Sequence, residues 1–176
     1  MKFLLLSDIH GAEASLDRLD GEFKKCDAVL FAGDFAKFEH EETGLPVLEK
    51  LRAKHEVIYS VIGNCDEPSF LSDIEEKDIS VEHSLVFHEG LVFAGSGGGS
   101  KFTGTTPNER SDEDLLSDLD MVSTAFDPDG SGCNNLIVIM HNPPKDTKCD
   151  EVAPDVHVGS PLLRKFIEDK KPLAVL

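Results

Sequence analysis

Four short, mostly apolar runs recur along the chain, and each of them stops at polar side chains. Runs of this length, bounded by polar or glycine residues, are typical of buried β-strands. They are Phe3–Leu6, Ala28–Ala32, Val57–Ile62 and Leu136–Met140. Because the carboxyl ends of parallel strands meet at one edge of an α/β sheet, where ligands bind, we expect the residues that follow these runs to lie close together.

The residues that follow the runs are of types that bind metal ions. Asp8 and His10 come after the first run, and on extended chain their spacing sends both side chains the same way. Asp34, Asn64 and His141 follow the later runs. Polar residues can also simply cap strand ends, but that alternative does not explain why Asp, Asn and His recur after four apolar runs. Oxygen and imidazole ligands without thiolate favour Mn²⁺, Fe²⁺ or Zn²⁺.

Between the strands, apolar residues recur at helical spacing. The spacing predicts helices over 12–23, over Leu45–Leu51 and, for a short stretch, over Pro68–Ile74. Ser111 and Ser160 are suited to cap two further helices. The sequence therefore alternates strands and helices, as α/β proteins do.

Two other segments predict a second sheet. Ser84–His88 and Leu91–Gly95 are separated by the turn Glu89-Gly90, which is typical of a β-hairpin. Lys171–Leu176 is predicted to form one more buried strand. Asp127–Gly132 is predicted to end the helix that begins at Ser111. It resembles a calcium loop only superficially, because its twelfth position is valine where glutamate is needed.

Composition excludes some partners. Thirty-four acidic and 17 basic residues give a formal charge of −17, which disfavours binding in nucleic-acid grooves. Four cysteines are too sparse for a disulfide framework, which favours a reducing cytoplasm. The first apolar run ends at Ser7-Asp8, too early for a signal peptide, and no stretch approaches the roughly 18 apolar residues of a membrane span. We expect a cytoplasmic protein without a membrane partner; a homo-oligomer is compatible with the sequence.

The ordered blocks of the chain resemble those of the calcineurin-like metallophosphoesterases. These blocks are Asp8-Ile9-His10, Gly33-Asp34, Gly63-Asn64-Cys65-Asp66 and the single His141. Gly97–Ser100 and His157–Ser160 also look like a branch of small enzymes in that family. The resemblance spans the whole chain. It implies a single domain over residues 1–176 with an α/β/β/α sandwich fold, in which two stacked mixed β-sheets are flanked by helices.

The resemblance also implies roles for the candidate ligands. Asp8 and His10 would bind one divalent metal ion, Asn64 and His141 would bind a second, and Asp34 would bridge both. The catalytic residues would then be Asp34, Asn64 and His141, which act through a metal-activated water. The expected reaction is hydrolysis of a small phosphate mono- or diester.

Further residues are candidates for contact with the substrate. Cys65 occupies a position where much of the family has a histidine that helps to protonate the leaving group. A thiol with an ordinary pKa near 8.5 is a poor substitute, so we interpret it as a packed small side chain rather than a catalytic one. Asn64, His40, Gly98 and His157 are candidates for substrate binding. A plain turn at Gly98 and a loop hydrogen bond at His157 are the alternatives.

One block of the family is missing. The chain stops at Leu176, where the last Gly-His-x-His block is expected, so the domain is expected to be truncated at this end or completed by another subunit. Loss of metal ligands should weaken metal binding at least as much as changes beyond the ligand shell do. Two functions remain open: a dinuclear phosphoesterase, and a phosphate- or nucleotide-binding protein that has the same pocket but impaired turnover. We favour the enzyme as the native role of the protein, and the binding protein as the behaviour of this isolated chain.

Overall fold

Two β-sheets stack face to face in the computed structural model of the chain, which describes residues 1–126 and 133–176. The predicted stop at Asp127–Gly132 lies outside the described residues. In chain order the strands are β1 (Phe3–Leu6), β2 (Ala28–Phe31), β3 (Ile58–Ser60), β4 (Val86–His88), β5 (Leu91–Ser96), β6 (Gly99–Ser100), β7 (Glu109–Arg110), β8 (Leu136–Met140), β9 (Glu151–Ala153), β10 (Val156–His157) and β11 (Ala174–Val175).

Short helices cover the outer faces of the sheets. The α-helices are α1 (Asp20–Phe23), α2 (Gly44–Lys54), α3 (Phe70–Glu75), α4 (Asp112–Ser117), α5 (Asp120–Ala125) and α6 (Pro161–Lys170). The 3-10 turns are Glu13–Leu19, Glu41–Thr43 and Cys133–Asn135. None of the helices in the described residues has both the length and the apolar character needed to cross a membrane.

The two large sheets differ in their strand directions. The first has the order β1-β2-β3, and all three strands are parallel. The second has the order β11-β8-β5-β4, in which β4 alone is antiparallel to its neighbour. The predicted hairpin is therefore present. The predicted last strand is also present as β11, but it is exposed rather than buried, because it lies at the edge of its sheet. Both sheets were expected to be mixed, whereas only the second one is, since the first is entirely parallel.

Alternation of apolar side chains along the strands produces the layers. Leu30 points between the sheets and packs in one cluster with Phe93 and Ile139 of the second sheet. Its neighbour Phe31 points the other way, into the cluster formed with α2. Val138 likewise faces α4 and α6. Because both faces of both sheets are covered, the molecule is a helix–sheet–sheet–helix sandwich, as expected.

The helix predictions hold with two local differences. The single helix predicted to begin at Ser111 is divided into α4, which ends at Ser117, and α5, which begins at Asp120. The segment predicted as a helix over 12–23 is a 3-10 turn over Glu13–Leu19 followed by a single α-helical turn. Leu16 and Phe23 are still buried as the spacing predicted, and Gly21, a poor helix former, lies in the α-helical turn. Ser160 caps α6 by accepting a hydrogen bond from the Leu163 N–H.

Candidate metal centre

The strands β1, β2, β3 and β8 bring their carboxyl ends to one edge of the sandwich. The loop after β1 is tied to the loop after β2, because the N–H of Asp8 donates to the carbonyl of Gly33 and the N–H of His10 donates to the carbonyl of Asp34, both at 3.0 Å. Asn64 and His141 complete the group, with the Asn64 Oδ1 only 2.8 Å from the His141 Nε2. The structure therefore brings together the five predicted metal ligands.

Three of these ligands have strained backbones. Asp8, His10 and Asp34 have φ values of 56°, 48° and 60°. These values lie in the left-handed region, which residues other than glycine rarely adopt. Each such residue costs of the order of 1 kcal/mol or more, and such residues cluster at functional sites. The hydrogen bonds between the two loops stabilise this conformation and aim the side chains at a common point.

Asp34 lies at the middle of the group. Its Oδ2 is 3.6 Å from the His10 Nε2 and its Oδ1 is 3.5 Å from the His141 Nε2, while its side chain is only 4% exposed. Asp8 approaches from the open side, with its Oδ1 3.5 Å from the His10 Nε2. Each oxygen of one carboxylate therefore faces a different imidazole, which is an arrangement that suits a ligand shared by two ions.

Backbone carbonyls orient both imidazoles. The Nδ1 atom of His141 lies 2.6 Å from the carbonyl oxygen of Ala32, and that of His10 lies 3.3 Å from the carbonyl oxygen of Ala36. A carbonyl oxygen only accepts hydrogen bonds, so the Nδ1 atoms carry the protons and donate. The Nε2 atoms then keep their lone pairs and point at the centre, as histidine ligands of metals do.

This arrangement fits cations. The lone pair of the His141 Nε2 faces the Asn64 Oδ1 and the Asp34 Oδ1, and both of these oxygens are acceptors. Three acceptors that converge in a mostly buried site are unfavourable unless a positive charge lies between them. Among the described residues, three sets of side chains approach each other closely enough to hold an ion, and two of them are at this centre. These two are Asp8, Asp34 and His141, and His10, Asp34 and Cys65, so they pair Asp8 with His141 rather than with His10. The third set is Glu82, His83 and Asp118.

The comparisons with known proteins agree with this geometry. A family model described as calcineurin-like phosphoesterase matches residues 1–176. The chain belongs to this family. Uncharacterized protein MJ1162 of Methanocaldococcus jannaschii is 30% identical to the chain in an alignment of 174 residues that covers 96% of this chain and 74% of that protein.

Solved structures confirm the fold of this calcineurin-like phosphoesterase. TT1561 of Thermus thermophilus matches with a TM-score of 0.70 and 16% identity, over 98% of this chain and 79% of that one. A second solved structure matches with a TM-score of 0.73 and 18% identity, over 99% and 82% of the two chains. Family membership supports metal-dependent hydrolysis of phosphoesters in general terms and confirms the resemblance found in the sequence.

Asp66 is a residue of the phosphoesterase site to which the sequence analysis gave no role. Its buried carboxylate accepts hydrogen bonds from the N–H groups of Asp34, Phe35, Ala36 and Gly63 at 2.7–3.2 Å. Burial raises the pKa of Asp66, and the N–H donors oppose that effect. A carboxylate three residues after a glycine at a strand end was visible in the sequence, but its partners were not. Asp66 fixes the backbone of Asp34.

Cys65 lies beside the candidate ligands but is poorly suited to acid–base chemistry. Its backbone N–H donates to the Asp34 Oδ1 at 2.8 Å. Burial, together with the negative charge of Asp34, raises the pKa of the Cys65 thiol to about 12. The thiol therefore stays protonated at neutral pH, in keeping with its interpretation as a packed side chain.

The three remaining candidates lie around the centre in different environments. The N–H of Gly98 donates to the carbonyl of Ile62 at 2.9 Å, so it is engaged by backbone. The His157 Nδ1 is 2.8 Å from the buried Asp150 carboxylate, which raises the pKa of His157. His40 and Cys65 line the same cleft, which has a volume of about 330 Å³. His40 therefore lines the same cleft as Cys65, which lies beside the candidate ligands.

Proposed function

We propose that this chain hydrolyses phosphate mono- or diesters at a centre of two divalent metal ions. The observation that carries the proposal is the buried Asp34 carboxylate, whose two oxygens each face a different imidazole at about the same distance. Asp8 and His10 hold one ion, Asn64 and His141 hold the other, and Asp34 contacts both. The donor set of carboxylate, amide and imidazole favours Mn²⁺, Fe²⁺ or Zn²⁺.

Two divalent ions bound by these residues would supply the chemistry, because such a pair lowers the pKa of a water molecule and stabilises the charge that develops in a phosphoryl transfer. Residues of the chain hold the proposed metal ligands in position. The carbonyls of Ala32 and Ala36 hold the imidazoles with Nε2 toward the centre, and Asp66 holds the backbone of Asp34. Preorganised ligands of this kind need no rearrangement when the substrate binds.

Electrostatics explain how an acidic chain attracts an anionic substrate. The chain has a formal charge of −17, which repels phosphate at long range. Two divalent ions carry more positive charge than the carboxylates of Asp8 and Asp34 neutralise, so the centre itself is attractive to anions. Binding is therefore confined to the metal-loaded site.

The chemistry of the leaving group determines which phosphate esters are hydrolysed fastest. A leaving alkoxide needs a proton, and this chain has the thiol of Cys65 at the position where much of the family has a histidine that helps to supply one. Aryl oxides need no protonation in order to leave. We therefore expect aryl phosphates to be hydrolysed faster than alkyl phosphates.

Turnover of p-nitrophenyl phosphate and of bis(p-nitrophenyl) phosphate with added Mn²⁺ tests the proposal, together with metal analysis of the dialysed protein. The wild type is expected to bind two ions per chain and to hydrolyse at least one ester. Asp34→Asn should lower turnover by at least about 100-fold, because even changes beyond the ligand shell cost 10- to 100-fold. Asp155→Asn, at an exposed turn, is the matched control and should leave both properties unchanged.

Two results would contradict the proposal. If no ion binds and no ester is hydrolysed with Mn²⁺, Fe²⁺ or Zn²⁺, the dinuclear assignment is wrong. If two ions and inorganic phosphate bind but neither ester is hydrolysed, the chain is a phosphate-binding protein instead.

A further inference from the structure

A cleft of about 260 Å³ opens directly from the candidate metal centre. Its floor includes Asn64, a proposed metal ligand, and Asn142, which follows the ligand His141 in the sequence. Gly99 closes the floor so tightly that a Cβ atom there would approach the Cβ of Asn64 to 3.0 Å. A phosphate held beside Asn64 therefore has this cleft next to it.

The polar atoms of the floor are already paired. The Asn142 Oδ1 accepts a hydrogen bond from the Ser100 N–H at 2.8 Å, and its Nδ2 donates to the Ser100 Oγ at 3.0 Å. A ligand group that enters the cleft finds few unused donors and acceptors in this pair. The floor therefore offers shape rather than a set of specific hydrogen bonds.

The walls are apolar, and one of them is an aromatic ring. Phe102 and Val152 both line the cleft and are each 61% exposed, and Val158 lines it as well. The backbone of Phe102 is nevertheless held, because its N–H donates to the Glu109 carboxylate at 2.9 Å. A ring that is exposed but attached to a fixed backbone presents a flat surface for stacking.

The electrostatics of the cleft disfavour a charged guest. None of the residues that line it, all of which belong to the described part of the chain, carries a positive charge. Glu109 is the one acidic residue among them. Its oxygens accept hydrogen bonds from the N–H groups of Phe102 and Gly104 and from the Thr103 hydroxyl. The cleft thus has no cation for a second phosphate, and its carboxylate is occupied.

The cleft that contains Cys65 and His40 has a different character. Phe38 and Pro107 contribute some apolar surface to it, but four glutamates also line it. These glutamates are Glu39, Glu41, Glu42 and Glu67. Such a surface suits an apolar group poorly, because the carboxylates would lose hydration against it.

We infer that the cleft formed by Phe102, Val152, Val158 and the Asn64–Asn142 floor binds the organic group of the phosphate ester, and that it selects an uncharged aromatic group stacked on Phe102. The inference rests on the proposed function, because the phosphate must be held at the metal centre for its organic group to reach the cleft. Phe102 is then the residue that determines specificity, and the substrate class is aryl or other flat aromatic phosphate esters.

Phenylphosphonate and methylphosphonate separate this binding from leaving-group chemistry, because neither contains a bond that the enzyme hydrolyses. Calorimetric titration of the Mn²⁺-loaded wild type should show phenylphosphonate binding about tenfold more tightly than methylphosphonate. Phe102→Ala should weaken phenylphosphonate binding by about three- to tenfold and leave methylphosphonate binding unchanged. Phe87→Ala is the matched control, because Phe87 is an exposed ring of β4 outside the cleft.

The outcomes distinguish this inference from the proposed function. If both phosphonates bind with equal affinity to the wild type, or if Phe102→Ala changes nothing, the inference is overturned while the metal centre stands. If Phe87→Ala weakens phenylphosphonate binding as much as Phe102→Ala does, the effect is not specific to the cleft and the inference is likewise overturned. If neither phosphonate binds to the metal-loaded protein, the proposed function fails and the inference fails with it.

Discussion

The carboxylate of Asp66 accepts a hydrogen bond of 3.0 Å from the backbone N–H of Asp34, the residue proposed to contact both metal ions. The two residues are 32 positions apart in the chain, and Asp66 also accepts from the N–H groups of Ala36 and Gly63. One buried carboxylate therefore determines the shape of two ligand-bearing loops. It also provides acceptors for a backbone turn that has a left-handed residue at its centre.

Replacing Asp66 by Asn tests this role. The amide keeps one acceptor oxygen, but its NH₂ group must face at least one backbone N–H, which leaves a buried donor unpaired. We expect the free energy of unfolding to fall by about 1–3 kcal/mol. Urea denaturation measures the change, which should appear as a lower midpoint with an unchanged m-value.

The same variant should also bind metal more weakly, because the position of Asp34 is no longer fixed. Asp155→Asn makes the same chemical change at an exposed turn and is expected to leave stability and metal content as in the wild type. Equal urea midpoints for Asp66→Asn and the wild type would show that the hydrogen bonds to Asp66 do not hold the loop that carries Asp34.

Glycine is needed at position 63 because Asp34 packs closely against its backbone, and not because the backbone must be flexible. A Cβ atom at this position would overlap the carboxylate of Asp34, with the Asp34 Cγ at 2.6 Å and the Asp34 N at a similar separation. Gly63→Ala must therefore push Asp34 away from the imidazoles. We expect loss of at least one metal ion per chain and a fall in affinity of at least about tenfold, as measured by metal analysis after dialysis.

Gly21→Ala is the control for that experiment. Gly21 lies in α1, and no atom lies within 4 Å of the place where its Cβ would be. Alanine there should leave metal content unchanged and raise the free energy of unfolding by up to about 1 kcal/mol. If Gly63→Ala retains both ions as Gly21→Ala does, Asp34 is not held where we place it.

The main features of the fold and the edge that carries the centre could be predicted from sequence, because both follow from local patterns. The continuous apolar runs of β2 and β8, all of whose residues are buried, are a property of successive residues, and they place Asp34 and His141 after strand ends without knowledge of the partners. The hairpin of β4 and β5 and the caps of α4 and α6 are local in the same sense. The helix that apolar spacing predicted over 12–23 is instead a 3-10 turn followed by one α-helical turn, which spacing alone does not distinguish.

The supporting residues could not be predicted, because their roles depend on contacts between distant segments. The partners of Asp66 are mostly about 30 positions away, and the Phe102 cleft combines residues from the loops around β6, β8 and β9. The short pairs β6–β7 and β9–β10 have no periodicity to detect, since each strand has only two or three residues. Tertiary packing decides such elements.

Glu82 joins the two sheets behind the centre. Its Oε1 accepts a hydrogen bond of 2.7 Å from the Ile62 N–H at the end of the first sheet, and its carboxylate also lies against Gly97 of the second. Burial raises the pKa of Glu82 to about 7, and the charge of Asp118 adds to that effect while Arg110 opposes it. A buried acid with a raised pKa makes stability depend on pH.

The direction of that dependence follows from proton binding. The unfolded chain releases the Glu82 proton near pH 4.5, whereas the folded protein keeps it up to about pH 7. In this window the folded state binds more protons, so Glu82 makes the free energy of unfolding fall as pH rises from about 4.5 to about 7 and level off above it. A raised acid pKa therefore contributes stability at low pH that is lost as pH rises.

Glu82→Gln removes the titrating group and keeps an acceptor for the Ile62 N–H. Relative to the wild type, the variant should gain about 3 kcal/mol in the free energy of unfolding between about pH 5 and about pH 8, because one pKa unit corresponds to about 1.4 kcal/mol. Urea denaturation of the metal-free proteins at several pH values measures the difference, and Glu89→Gln at the exposed hairpin turn is the control. A difference that stays constant across this range would mean that Glu82 is ionised in the folded protein at pH 5, with its charge compensated by Arg110.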